Sequence, residues 1–271
     1  MEILDFRVRP RTEWYYKDLY PTPIPEFRRY VEIYHTQHLI TIKGFEESIV
    51  DMRAAGVTRG VIFSGDAGGN QIVADTCRQY PDAYVGLAGA KLDKGIRDCV
   101  ETLRQAYDEF GLCGWNMGPY LSGIYAEDRR NYPGYALSEE KKKCVVIHSS
   151  VHYNPGKAID FGDPKHIDQV AVDFPGLKLV MAHAGYGFGE LGLMVANRHD
   201  NMFIDFTGLH PRYLPQQALT MINGPLKRKA IFGTNFPCLD FAIAEEWMKL
   251  VKDDAKPYFF YKNAARALGL E

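Results

Sequence analysis

The chain has 271 residues, 46% of them apolar and 24% charged, with a formal net charge of −2. That length suits one large domain, and the apolar content supplies a full core, which excludes a disordered or fibrous chain. The near-zero charge offers no positive field for a nucleic-acid backbone, and the longest basic run, the lysines at 141–143, reads as a solvated helix end.

In chain order, short β-branched runs alternate with helix-period segments. Strands are predicted at 3–8, 60–64, 84–90, 112–116, 144–148, 179–183, 202–206 and 230–233. Helices are predicted between them, at 45–55, 72–79, 96–109, 164–174, 191–198 and 215–222. Eight such repeats predict an α/β fold whose parallel sheet closes into a (β/α)8 TIM barrel, one domain over residues 1–271. No GxGxxG follows the first strand, which speaks against dinucleotide binding. The stretch 10–41 interrupts the rhythm and carries Trp14, Tyr15, Tyr16, Tyr20, Tyr30 and Tyr34. An insertion after the first strand lands on the C-terminal face of a barrel, so this loop is expected over the mouth as a lid, an oligomer contact or an aromatic plug.

The five cysteines, at 77, 99, 113, 144 and 238, lack CxxC spacing, which argues against a zinc knuckle or a redox pair. Cys238 lies beside an expected site loop and reads as a small buried residue. No signal-peptide pattern or bilayer-length apolar run is present, so a cytoplasmic protein without a membrane partner is expected.

Functional side chains of such a barrel come from the C-terminal strand ends. Those ends carry Asp5, Arg7 and Arg9, then Ser64 and Asp66, Lys91, Trp115 and Asn116, His148 and His152, His183, Asp205 and Thr207, and Asn235. Residues two apart on a strand share a face, so Asp5, Arg7 and Arg9 are expected to look into the barrel together. Inward guanidinium groups need anionic partners, because unpaired buried charge is costly. A substrate anion satisfies that need, and so does an internal ladder to Asp5, Asp66 or Asp205. One histidine at a strand end reads as a hydrogen-bonded core residue. Two, each closing an apolar run before a Gly or Ser loop, point to acid/base chemistry.

The segments EILDFRVRP, EESIVDMRAAGVTRGVIF, CVVIHSS, LKLVMAHAG, KAIFGTNFP and KNAARALGL, in this order across nearly the whole chain, resemble the amidohydrolase-related group, amidohydrolase family 2. The resemblance implies a metal-dependent-hydrolase-like barrel acting on small carboxylated compounds, as decarboxylase, hydratase or lactonase. It further implies two metal-binding histidines as HxH on the first strand, histidines on strands five and six, and an aspartate on strand eight. Here the HxH positions hold Arg7 and Arg9, His148 and His183 are kept, and Asn235 replaces the aspartate, so three of the five positions differ. Arginine stays protonated and has no lone pair to give, and two histidines leave zinc short of ligands. An amide orients a group but cannot carry a proton.

The expectation is therefore a subgroup with RxR in place of HxH, holding no metal and no cofactor. Its expected activity is hydrolysis of a small carboxylate-bearing substrate, a lactone or another C–O or C–C bond. A carboxy-lyase of the same family and an inactive acid-binding homologue are the alternatives. His148, His183 and Asn235 are assigned to catalysis, and Arg7, Arg9, Asp5, Asp66, Trp115, Asn116 and Asp205 to binding a small anionic substrate. Pairing of two copies through the aromatic loop is a further expectation.

Overall fold

The computed structural model describes residues 1–20, 23 and 25–271. Pro21, Thr22 and Ile24, within the interruption expected at 10–41, lie outside the described residues.

Among the described residues eight short parallel strands follow one another: β1 (Leu4–Asp5), β2 (Arg59–Phe63), β3 (Tyr84–Leu87), β4 (Gly114–Met117), β5 (Cys144–Ser150), β6 (Leu179–Tyr186), β7 (Met202–Asp205) and β8 (Ala230–Ile231). They pair in chain order, β1 to β3 in one group and β4 to β8 in another. Backbone hydrogen bonds close both seams. Asn116 N donates to Ala88 O at 2.7 Å between β3 and β4, and Phe6 N donates to Phe232 O at 3.1 Å between β1 and β8. The sheet is thereby a closed ring.

Helices α1 (Glu13–Tyr16) and α2 (Pro25–Tyr34) follow β1. The outer ring is then α3 (Phe45–Ala54), α4 (Ala67–Gln79), α5 (Ile96–Asp108), α6 (Pro119–Ser122), α7 (Tyr132–Glu140), α8 (Pro164–Asp173), α9 (Leu191–Arg198), α10 (Gln216–Ile222) and α11 (Ile243–Leu250), and α12 (Asn263–Leu268) follows at the end of the chain. Their ends follow local chemistry. Asp66 accepts from Gly69 N at 3.3 Å and starts α4, Asp163 accepts from Lys165 N at 2.9 Å ahead of Pro164 in α8, and Gly269 ends α12 with φ 71°. Among the described residues no helix is long and apolar enough to cross a membrane.

Strand residues alternate between two apolar layers. Leu4, Phe6, Val61, Val85, Val146, Val180, Phe203 and Ile231 pack along the axis, where Ala264, Ala267 and Leu268 of α12 join them. Ile62, Tyr84, Trp115, Val145, Ile147, Met181 and Ile204 pack outward against the helices. The strand β1 breaks this rule. Leu4 and Phe6 face the axis, yet Val8 packs in the outer layer near Gly60 and Met52. The alternation therefore slips between Phe6 and Val8, and Asp5 does not share the face of Arg7 and Arg9, which corrects the expectation from period two.

Asp5 instead fastens the ring. Its fully buried carboxylate accepts from Thr234 N at 2.9 Å, Thr234 Oγ1 at 2.6 Å and Arg7 N at 3.1 Å, joining β1 to the chain after β8. Burial pushes this carboxyl up to about 7 against the pull of those hydrogen bonds. A folded-state value above the unfolded one gives stability that is complete below the unfolded value and is lost as pH rises through the folded value. Relative to wild type, Asp5→Asn should therefore gain stability between about pH 4 and pH 8, by roughly 2–4 kcal/mol in urea unfolding. A difference between the two proteins that is flat with pH would sink this account.

Candidate active site at the barrel mouth

Past the slip in β1, Arg7 and Arg9 turn toward the mouth. Arg7 Nη2 donates to Asn116 Oδ1 of β4 at 2.8 Å, and Asn116 is itself held by its Nδ2 donating to Ser64 O at 3.3 Å. Arg9 Nη1 donates to Asn235 Oδ1 at 2.9 Å. Phe63 of β2 lies against both guanidinium groups, 4.4 Å from Arg7 and 4.9 Å from Arg9, and Phe27 of α2 lies 4.8 Å from Arg9. Both hydrogen-bond partners are neutral amides, so these bonds orient the charges without cancelling them. Burial lowers the Arg7 guanidinium to about 10, with Arg9 beside it acting in the same direction, and Arg7 stays charged at neutral pH. Its Nε is buried and has no hydrogen-bond partner among the described residues.

His148 and His183 meet edge to face, with ring centroids 4.9 Å apart. On β5, Val146 faces the axis and His148 follows it by simple alternation. On β6, Val180 and Ala182 face the axis, so the next residue would ordinarily point outward. It does not, because the β5–β6 register passes from His148↔Ala182 to Ser150↔Tyr186, four residues of β6 against two of β5. His183, Ala184 and Gly185 take up the excess with φ of 60°, 55° and 65°. This bulge returns the His183 ring to the mouth.

Asp205 of β7 lies beneath His183 and is fully buried. Its Oδ1 accepts from His183 N at 2.9 Å, Thr207 N at 3.0 Å and Thr207 Oγ1 at 2.5 Å. Burial lowers both imidazoles. For His148 the fall is large and is reinforced by His183 and Arg7. For His183 it reaches about 4, with Asp205 opposing and Arg7 adding. Both rings are neutral at pH 7.

A cavity of about 170 Å3 opens at His183, Asn235, Thr207 and Ser150 and is walled by Tyr30, Tyr34, Tyr153 and Tyr186. Helix α2 thus supplies Tyr30, 4.8 Å from Tyr153, besides Phe27 under Arg9. Tyr120 of α6 stacks on His152 at 4.3 Å and lies 4.6 Å from His148. A larger concavity, about 670 Å3, is bounded by Glu2, Arg59, Pro81 and Tyr261 and contains none of these groups.

The structure brings Arg7, Arg9, Asn116, His148, His183, Asp205 and Asn235 together and leaves three assigned residues outside. Trp115, next to Asn116 on β4, necessarily faces the other way and packs on Tyr135 at 5.6 Å, with its Nε1 donating to Ala90 O at 3.3 Å. Asp66 caps α4 and pairs with Lys91 at 3.6 Å on the rim. Asp5 binds Thr234. These are corrections to their assignment as substrate-binding residues, and Asp205 supports a ring from below rather than lining the cavity. The internal ladder is also not what holds the arginines, since their hydrogen-bond partners are Asn116 and Asn235. Cys238 is buried, accepts from Asn235 Nδ2 at 3.6 Å, and has its thiol pushed up to about 11 by burial. Phe63, Tyr120, Thr234, Tyr153 and Tyr186 carried no sequence signal of their own, Tyr30 and Tyr34 signalled only as part of the aromatic stretch 10–41, and Thr207 only through its place two residues after Asp205.

The side chains present do not fit the metal centre that the family resemblance implies. Among the described residues no three His, Cys, Asp or Glu groups come together to hold an ion. The Asn235 amide oxygen accepts from Arg9, and cationic groups stand where donors would be needed.

Residues 19–270 match the family model described as amidohydrolase. The structure superposes on an uncharacterised TIM-barrel protein from Bordetella bronchiseptica with a TM-score of 0.82 and 24% identity, over 99% of both chains. It is also similar to 5-carboxyvanillate decarboxylase from Sphingomonas paucimobilis, with a TM-score of 0.71, 15% identity and 99% of both chains covered. A probable 2-pyrone-4,6-dicarboxylic acid hydrolase from Acinetobacter baumannii with citric acid bound gives 0.61 and 12%, over 99% of this chain and 100% of that one. At these identities the likeness speaks for the fold alone. No curated protein matches the chain. Since the family match runs over all but the first 18 residues and the last one, the chain belongs to the amidohydrolase family.

Proposed function

We propose that the protein is a metal-independent hydrolase of a small carboxylate-bearing substrate, with a lactone or related C–O bond as the bond cleaved. The observation that carries this reading is the pair of guanidinium groups at the mouth, oriented by neutral amides and beside two neutral imidazoles. Arg9, only partly buried, takes the substrate carboxylate, and Arg7 faces the carbonyl oxygen. His183 removes a proton from water, and the hydroxide adds to the carbonyl carbon. The resulting oxyanion lies against Arg7, whose charge stabilises it in a site largely closed to water. The C–O bond then breaks, and the leaving alkoxide takes the proton back from His183 to give a hydroxy acid. His148 hydrogen-bonds the reacting oxygens, and Asn235 orients the substrate.

Substrate binding itself assists the base. A carboxylate beside Arg9 offsets part of the positive field that, with burial, holds His183 low, so its affinity for a proton rises once the substrate is in place. A decarboxylase would need an electron sink, and in this site that role would fall on the arginines alone.

Three outcomes test the reading. Elemental analysis should find no stoichiometric zinc or manganese, and chelators should leave turnover and stability unchanged. One metal per chain, lost on His148→Ala, overturns metal independence. Arg9→Met should keep the fold by circular dichroism while weakening substrate binding by roughly 30-fold or more, as loss of a desolvated charge pair costs about 2–5 kcal/mol. A grossly unstable Arg9→Met protein would instead make the arginine a structural brace. On a lactone that the enzyme opens, His183→Gln should lower kcat by about 10²-fold or more with KM little changed. Release of carbon dioxide in place of a hydroxy acid would assign a lyase, and a thermal shift without turnover would assign an acid-binding protein.

A further inference from the structure

A neutral imidazole offers one nitrogen as donor and one as acceptor, and its neighbours decide which is which. Around His183 those neighbours are fixed. Its Nδ1 lies 2.8 Å from the backbone oxygen of Thr207 and 3.0 Å from Thr207 Oγ1. The carbonyl can only accept. The hydroxyl, 2.5 Å from Asp205 Oδ1, has its proton directed at that carboxylate, because the reverse orientation would set two lone pairs against each other. Asp205 Oδ1 is fixed in turn by the amides of His183 and Thr207, at 2.9 Å and 3.0 Å. Thr207 therefore presents two oxygen lone pairs to Nδ1, and the proton of the ring belongs there.

We propose that Thr207, locked by Asp205, is a positioning residue that holds His183 in the Nδ1–H form and so leaves Nε2 as the only ring nitrogen able to take a proton from a bound reactant. The consequence for catalysis rests on the reading of His183 as the proton-transfer residue. His148 has no comparable support. Its Nδ1 is buried with no hydrogen-bond partner among the described residues, and its Nε2 lies 3.4 Å from Ser150 Oγ, a group that serves as donor or acceptor. The two histidines are thus unequal, since two Thr207 oxygens face Nδ1 of His183 and no such pair faces a ring nitrogen of His148 among the described residues.

The test is the tautomer itself, read without any substrate. In 15N-labelled wild-type protein at neutral pH, long-range 1H–15N correlation spectra should show His183 protonated at Nδ1. Thr207→Val removes one of the two acceptors, so an Nε2–H population should appear, and Thr207→Ser should remove it again. A wild-type His183 carrying its proton on Nε2 overturns the proposal without reliance on any variant. A Thr207→Val spectrum identical to wild type refutes the role of the hydroxyl. With a lactone that is turned over, Thr207→Val should lower kcat several-fold at unchanged KM, and an unchanged kcat refutes the catalytic role. A protein that shows the Nδ1–H form yet opens no lactone contradicts the hydrolase reading and leaves the tautomer assignment standing.

Discussion

Two guanidinium charges held in a narrow barrel mouth set the terms for everything around them. A buried charge is costly unless something compensates it, and guanidinium cannot escape by losing its proton at neutral pH. Here the compensation from the protein is partial. Two amide oxygens give direction, the face of Phe63 gives a weak attraction to both groups, and Asp205 adds a more distant opposite charge. The positive field of the arginines adds to the burial that keeps the neighbouring imidazoles neutral. The same positive field disfavours a dication, and Asn235 accepts from Arg9 where the family resemblance implies an acidic group.

The barrel itself was legible in the residues because eight β-branched runs separated by helix-length segments have few other ways to bury their surface. The strand starts agree to within a residue or two, while β1 and β8 prove shorter than their apolar runs. The errors at the site come from extending a local rule past the point where the backbone stops obeying it. Period two placed Asp5 beside Arg7 and Arg9, but β1 ends at Asp5 and the chain slips before Val8. The opposite happened at Trp115 and Asn116, where adjacent residues were given one role although a strand sends neighbours to opposite sides. Asp66 had the simplest explanation available to a carboxylate before a helix, which is to cap it. Of the residues brought in from α2 and α6, Tyr30 was legible only as part of the aromatic stretch expected over the mouth, and Phe27 and Tyr120 were out of reach, since only the folded ring shows that they meet strands far away in the chain.

The position of His183 shows how irregular backbone does the placing. A regular β6 would have buried this ring under α8 and α9, and the bulge that prevents it puts three consecutive residues at positive φ. Histidine tolerates that region better than most side chains, whereas Ala184 does not, and such residues cost about 1–3 kcal/mol each. Asn235, the partner of Arg9, also has a positive φ, 54°, and Asn is another residue suited to it. Two of the mouth's polar groups are therefore delivered by conformations that regular strands would not adopt, and strain of this kind persists only where the surrounding packing holds it.

The packed interior has one more effect. Because α12 and the axial side chains fill the barrel from below, the cavity at His183 opens, among the described residues, past Tyr30, Tyr34, Tyr153 and Tyr186 and not through the ring. Under the proposed hydrolase reading, a hydroxy-acid product would bear the same carboxylate as its precursor and would be held by the same Arg9 charge. On that reading the grip that favours capture at low concentration would also slow exit past Tyr30 and Tyr34 of α2.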